Sequence, residues 1–418
     1  MKIIVIGAGI VGMTTAWELA RDGHRVTVVD RAAGAAAGAS HANGGQLSYS
    51  YVAPLADASV WRQLPKLLLD RNSPVQFRPR GDPFQYRWLA QFMRACDDRL
   101  ARETTEWLGR LAQLSHDVLH AIPELADADF AWTRTGKLVV YSSEGSLAAA
   151  RRVAEWQAAS GIERQPLDRD ACLALEPALA GIAHRLTGGL FSPGDEAADP
   201  RLLAGVLEQK LRAGAGTVQF NYGTQVNGLR REGGAIVALD TDAGPMEADL
   251  YVLAAGVQAR AIGRTAGLDL PIYPLKGYSL SAPIVRDSAA PRVSITDASR
   301  KVVLARLGDT LRLAGAADLV GENTSIDQRR TDKLLADARA DFPEAADWSA
   351  ARIWAGLRPA TPRGMPVIGE SGVGRLLLNT GHGALGLTLA FGSAALLASN
   401  IAGRPSPVDI GHFRIGHR

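Results

Sequence analysis

The stretch Gly7-Ala8-Gly9-Ile10-Val11-Gly12 decides the reading of this chain. It follows the apolar run Ile3 to Ile6 and opens a helix-like stretch, Val11 to Arg21. A second apolar run, Val26 to Val29, ends on Asp30, eighteen residues past Gly12. The pattern is strand, Gly-rich turn, helix, strand, acid. The first glycine permits a tight turn, the second lets backbone approach a pyrophosphate, and the third lets helix and strand pack. The helix N-terminus offers unpaired N–H groups and partial positive charge to phosphates. Asp30 is placed to accept from ribose hydroxyls, and an acid there disfavours a 2′-phosphate ligand. A dinucleotide site is expected. The alternative is a Gly-rich turn that only joins strand to helix.

The chain has 418 residues, 47% hydrophobic and 21% charged, which suits a large folded core and two domains. A net charge of +3 gives no strong field for nucleic acid, and no nucleic-acid partner is expected. Cys96 and Cys172 form no metal-type spacing and require no oxidising compartment. His116 and His120 share a helical face at i, i+4, but no Glu motif accompanies them, so no metal site is expected. Met1-Lys2 and the apolar residues after them serve better as a first strand than as a signal peptide. No run of ~18 uninterrupted apolar residues is present, so no membrane span is expected. The expected location is cytoplasmic, with peripheral contact on the inner face of the bacterial plasma membrane left open.

Residues 34–50, GAAAGASHANGGQLSYS, read as a small-residue loop directly after Asp30. Phe84, Trp88, Phe92, Cys96 and Leu100 recur every four residues, and Leu108 to Val118 continue at helical spacing, which predicts two amphipathic helices. Gly136–Tyr141 reads as a strand and Leu147–Ser160 as a helix; Asp199-Pro200 opens another helix with Asp as cap. Val302–Ala305 and Leu311–Leu313 suggest a hairpin around Gly308-Asp309. A strand, Leu376–Asn379, meets the Gly-rich turn 380–386 and then the apolar helix Leu387 to Ile401. Dinucleotide-type elements stand at both chain ends and in the middle, so the domains are expected to interleave.

Seven segments now carry a resemblance. They are GAGIVG (7–12), VVDR (28–31), SHANGGQLS (40–48), LTGGLFSPGDEAADP (186–200), YPLKGYSL (273–280), WAGLRPATPRGMPVIG (354–369) and LNTGHGALGLTLAFGSA (378–394). In this order they resemble the FAD-dependent amine oxidoreductases of the D-amino-acid oxidase and glycine oxidase type, and among these the bacterial D-amino-acid dehydrogenase small subunits. The resemblance implies an α/β fold: a Rossmann-like FAD-binding domain (1–50, 165–260 and 350–418) interleaved with an antiparallel-sheet α+β substrate domain (51–164 and 261–349). FAD is the implied cofactor. Its implied contacts are Gly7, Ala8, Gly9, Ile10, Val11, Gly12, Asp30 and Arg31; Ser40, His41, Asn43, Gly44, Gly45, Gln46 and Leu47 in the loop; Val226, Ala255, Gly256 and Gly356; and Gly381, His382, Gly383, Ala384, Leu385, Gly386, Leu387 and Thr388 at the last turn.

The implied reaction is oxidation of a D-amino or D-imino acid, of D-alanine, D-proline or hydroxy-D-proline type, to an imino or 2-oxo acid. Cα hydride passes to flavin N5, and electrons go on to a quinone or another acceptor. The cofactor carries the difficult chemistry, and the protein must clamp a carboxylate, which a guanidinium does bidentately. Arg358, in Gly356-Leu357-Arg358-Pro359, matches the family's carboxylate-binding arginine; a structural ion pair is the plain alternative. Arg306 is a second candidate, against an exposed hairpin arginine. Tyr278 is a candidate pocket hydroxyl, or a buried sheet tyrosine. His382 is a candidate flavin contact, or a residue that holds its turn. Tyr49 and Tyr51 are candidates to gate the pocket, or loop packing. Val302 and Ala384 stand where a substrate-side tyrosine and a second arginine are expected, which implies one arginine and a roomier pocket. The segment Trp61 to Arg80 is basic and apolar and suits an anionic bilayer surface. Rival readings are an oxygen-using oxidase, an FAD-holding subunit of an amine dehydrogenase complex, and a nicotinamide-dependent dehydrogenase, which would be colourless when purified.

Overall fold

The computed structural model describes residues 1–61, 73–159, 161–214 and 217–416. Leu67 to Leu69 and most of the basic stretch Trp61–Arg80 lie outside the described residues. Two sheets carry the architecture. The first has six strands in the order Val367–Glu370, Leu376–Thr380, Leu250–Leu253, Lys2–Ile6, Arg25–Val29 and Val218–Asn221. All neighbours are parallel except the first pair. Ile3 to Ile6, Val26 to Val29 and Tyr251 to Leu253 are buried nearly throughout, as strands of a parallel sheet covered on both faces must be.

The helices Ile10–Arg21 and Gly386–Ala402 pack beside this sheet, with Asp98–His120 against the second of them. Residues Gly383–Ala402 are long and apolar enough to cross a membrane by composition. Here that apolarity serves the core: Leu389, Ala390, Phe391, Leu396 and Leu397 are 0–1% exposed. The helix stops where Gly403 takes φ +65°, the left-handed turn that ends many helices.

The second sheet has nine strands. Eight lie in the order Arg352–Ala360, Tyr273–Pro283, Thr310–Leu319, Val302–Leu307, Ser294–Asp297, Lys137–Tyr141, Gly188–Ser192 and Gln165–Asp168, and Val75–Phe77 pairs with Thr310–Leu319. Most pairs are antiparallel, as the α+β reading expects. The strands Gln165–Asp168, Gly188–Ser192 and Arg352–Ala360 belong to this sheet, so the chain crosses between the sheets more often than its motifs suggest. The helix Gln328–Asp341 covers one face. Arg185 ties it down, reaching Asp297 at 2.6 Å and Asp341 at 2.7 Å. The predicted helices near residue 84 are Pro83–Ala95 and Asp98–His120, capped by Asp82 and Asp97. Asp199 caps Pro200–Ala213 by accepting from the amides of Arg201 and Leu202.

Candidate active site

Adjacent parallel strands bring distant turns to one edge. Leu376–Thr380, Leu250–Leu253 and Lys2–Ile6 are neighbours, and from their carboxyl ends run Gly381–Thr388, Ala254–Gly256 and Gly7–Gly12. Arg25–Val29 adds Asp30. Ligands of open α/β sheets bind at this edge.

The three glycines of the first turn differ in what they exclude. A Cβ at Gly7, whose φ is +109°, would stand 2.6 Å from the Ala254 carbonyl oxygen, and one at Gly12 would stand 1.9 Å from the Gly7 oxygen. A Cβ at Gly9 would meet only Ser40 Oγ, at 3.6 Å. The fold itself needs the first and third glycines, while the second faces space. A Cβ at Gly256 or Gly383 would likewise meet nothing within 4 Å. Bare backbone facing open room at the head of a helix fits a pyrophosphate.

Asp30 accepts from the amide of Ala8 at 2.7 Å and of Ala32 at 2.8 Å, so it braces the turn while two carboxylate oxygens keep lone pairs for a ribose. Val226 is buried and lies close by, since Thr224 N–H donates to the Asp30 carbonyl and Gly223 N–H to that of Ala32. Arg31 is exposed. Ser40 Oγ accepts from the Ile10 amide at 3.0 Å, which draws the loop onto the helix head.

Residues 43–48 wedge between the two sheets. Asn43 holds the turn by accepting from Gly45 N–H at 2.9 Å. A Cβ at Gly44 would stand 2.6 Å from Val303 Cγ2. Val303 thus faces the loop, and its neighbour Val302 points the other way, beside Leu334 of the helix Gln328–Asp341. That overturns the substrate-side placing of Val302, because side chains alternate between sheet faces. Gln46 donates to Ser294 Oγ at 2.7 Å and accepts from Thr296 at 3.2 Å. Gln46–Leu47 pairs with Glu196–Ala197. Thr388 Oγ1 accepts from Ser48 N–H at 3.1 Å and donates to the Gln46 carbonyl at 3.3 Å, so the last turn and the loop form one wall.

Arg358 lies on the face of the large sheet that looks toward this loop. Its strand pairs with Tyr273–Pro283 in unbroken register, Leu275 to Arg358 and Gly277 to Gly356. Ser279, on the same face, donates to the Ala42 carbonyl at 2.7 Å. Two glycines make room for large side chains laid flat on the sheet. A Cβ at Gly277 would stand 2.4 Å from Arg358 Nη2, and a Cβ at Gly356 would stand 1.9 Å from the Trp354 ring. Gly356 therefore serves Trp354, whose ring lies 6.2 Å from that of His41. A bulge opposite Gly277 gives Ala316 a φ of +61°, and its carbonyl accepts from Arg358 Nη1 at 2.8 Å. Burial pulls the Arg358 pKa below its usual value, with Asp318 acting in the opposite direction. No carboxylate among the described residues pairs with it.

Tyr278 and Arg306 do not join Arg358 as their candidate roles require, whereas the backbone of His382 bridges to Ala360, two residues along the strand from Arg358. Tyr278 stands on the neighbouring strand and points to the opposite face of the sheet, 2% exposed, and donates to Asp318 at 3.3 Å. Arg306 pairs with Asp287. Its level on the sheet, Leu311 against Ala282, is seven positions from Leu275, roughly 23 Å at ~3.3 Å per residue. His382 is buried and bonds Ser393 Oγ at 3.1 Å; burial holds its pKa at about 3, so it is neutral. It keeps its turn in place. Leu385, Gly386 and Leu387 continue from that turn into the core helix, and Ala384 is exposed on it. Tyr49 donates to Glu196 at 3.4 Å, and Tyr51 lies under Lys137; both pack the loop.

Sequence reasoning missed Gly277, Trp354 and Lys137. A Gly two residues from another sheet residue carries no signal until the register is known. Lys137 is 2% exposed, donates to Ser48 Oγ at 2.7 Å, and lies 4.6 Å over Tyr51. Burial pulls its pKa down to about 8, partly offset by Asp195.

Residues 2–400 match the family DAO, FAD dependent oxidoreductase. The chain belongs to this family. FAD is therefore its cofactor, and the glycine-lined edge fits the pyrophosphate of such a group. Among curated proteins, it is 45% identical over 414 residues to D-amino acid dehydrogenase 2 of Ralstonia nicotianae, covering 97% of each chain. It is 43% identical over 409 residues to D-amino acid dehydrogenase 2 of Pseudomonas aeruginosa, covering 98% of this chain and 96% of that one. Glycine oxidase from Geobacillus kaustophilus superimposes with a TM-score of 0.77 at 20% identity, over 100% of this chain and 98% of the other. L-proline dehydrogenase from P. horikoshii does so with a TM-score of 0.74 at 17% identity, over 99% and 96%. These two likenesses establish the fold alone.

Proposed function

We propose that this FAD-dependent D-amino acid dehydrogenase oxidises small and cyclic D-amino acids, of D-alanine or D-proline type, and passes the electrons to a quinone rather than to oxygen. The observation that carries the substrate class is Arg358: a guanidinium on the sheet face that looks toward the loop 42–48, anchored to one carbonyl and without a carboxylate partner among the described residues. Its second edge is available to a substrate carboxylate, bidentate and in a low-dielectric site. Bound FAD supplies the chemistry by accepting the Cα hydrogen with its electron pair. The chain's own residues do the rest. Arg358 fixes the carboxylate, and so the direction of Cα. Trp354 and His41 form an apolar and neutral wall, for burial lowers the His41 pKa, with Arg201 and Arg312 adding to the effect. No side-chain base is needed at Cα, in keeping with the neutral His382 and the sheet-bound Tyr278.

The D-side preference and the dehydrogenase character are supported by the full-length relatives named D-amino acid dehydrogenase. The fold itself is shared with proteins named for glycine and for L-proline, so it does not choose the hand of the substrate. A peripheral position on an anionic membrane, near a quinone pool, is part of the same reading and rests on the basic composition of Trp61–Arg80.

The test is anaerobic bleaching of the flavin over D- and L-amino acids, followed by mixing the reduced protein with air or with a soluble quinone analogue. Bleaching by D-alanine and D-proline, with rapid reoxidation only by quinone, is expected. Bleaching by L-amino acids alone overturns the substrate reading, and peroxide formation at full turnover rate overturns the acceptor reading.

A further inference from the structure

The pair His116 and His120 lacks a third ligand in sequence, and the fold supplies one. Glu196 arrives from the short strand Glu196–Ala197, and its carboxylate lies 2.8 Å from His120 Nε2. One ligand atom from each of His116, His120 and Glu196 falls within 4.8 Å of the other two. We infer that these three residues form a binding site for a divalent transition-metal ion of the zinc class, seated beside the flavin loop.

Two imidazoles at i, i+4 and one carboxylate make the donor set that zinc takes with one position left to water. The surroundings supply what such ligands need behind them. His116 Nδ1 lies 3.0 Å from Asp117 Oδ1, which directs its Nε2 outward as the ligand atom. Glu196 Oε2 is held by Trp132 Nε1 at 2.9 Å and by the Tyr49 hydroxyl at 3.4 Å, while Oε1, which meets His120 Nε2 at 2.8 Å, is the oxygen placed to share an ion with that ring. The imidazoles stack 4.2 Å apart with their planes 29° from parallel, so the exposed His120 ring must turn to bring both in-plane lone pairs onto one ion. Glu196 is buried, His116 half-buried and His120 exposed, so an ion can enter from solvent. Arg134 Nε approaches Oε1 at 3.8 Å, but its side chain is 55% exposed and lies over Trp132, so its charge can turn to water. Glu196 pairs with Leu47 in the strand ladder, which places the ion one strand from the loop against the cofactor. An ion there would fix this strand and slow escape of FAD.

The experiment titrates the FAD-loaded protein with zinc chloride by calorimetry, beside His116→Asn, Glu196→Gln and Asp117→Asn. One saturable equivalent is expected for the parent, none for His116→Asn, and binding ~10-fold weaker for Asp117→Asn. The parent should also release FAD more slowly with zinc than with a chelator, a difference that His116→Asn abolishes. His116 stands at the surface, so its variant tests the site even where Glu196→Gln fails to fold. Absence of saturable binding to the parent, or equal binding to His116→Asn, overturns the inference.

Discussion

The Arg358 guanidinium lies against the backbone of Gly277, so close that a Cβ at 277 would stand 2.4 Å from Nη2. Neither residue reveals this alone. Gly277 is the floor on which the arginine rests, and the bulged Ala316 carbonyl is the peg that turns it.

Replacing Arg358 by Ala should remove a charge-assisted bidentate contact, about 3 kcal/mol or roughly 100-fold in kcat/KM. FAD content should not change. Lys should restore only part, for it cannot pair bidentately. Steady-state kinetics with D-alanine beside the flavin absorbance checks both.

Gly277→Ala should act like a milder Arg358 variant. The added methyl displaces the guanidinium while Arg358 itself remains. We expect KM to rise about 10-fold or more, as a charged contact worth ~1.5–3 kcal/mol is misplaced. FAD binding and fold should persist, by absorbance and circular dichroism. An unchanged KM would show that the guanidinium does not meet substrate.

Asp30→Ala should loosen FAD and also the turn, because the carboxylate holds the Ala8 and Ala32 amides. The thermal midpoint should fall for the FAD-free protein as well as for the loaded one, with substrate preference unaltered. A ribose contact alone would lower only the loaded form, since ligand binding adds stability by mass action.

Lys137 gives a pH signature. Its folded pKa is pulled from 10.5 to about 8 by burial. Between those values the unfolded chain holds a proton that the folded one has lost, so this residue's contribution to stability rises with pH across that window. Below the lower value both forms are charged and the burial penalty is constant. Compared with Lys137→Met, the parent should therefore gain stability from pH 8 to pH 10, read by urea unfolding at each pH. A flat difference would refute the neutral buried lysine.

Much was legible in the residue order. The turn Gly7–Gly12 with Asp30, the second Gly-rich turn at 381–388, the amphipathic helices and most strands follow from local rules: glycine where backbone must approach closely, period-four apolar residues, Asp before a first turn. These depend on neighbours a few residues apart, so the chain states them directly. What the tertiary structure alone decided is which face each side chain takes and which distant groups meet. Sheet register turned Val303 inward and Val302 outward, set Tyr278 behind the sheet, and moved Arg306 to its far end. It also brought Gly277 under Arg358 and Glu196 to His120. A strand's period of two makes a one-residue difference in register exchange its faces, and register is fixed by pairing across long sequence separations that no single stretch records.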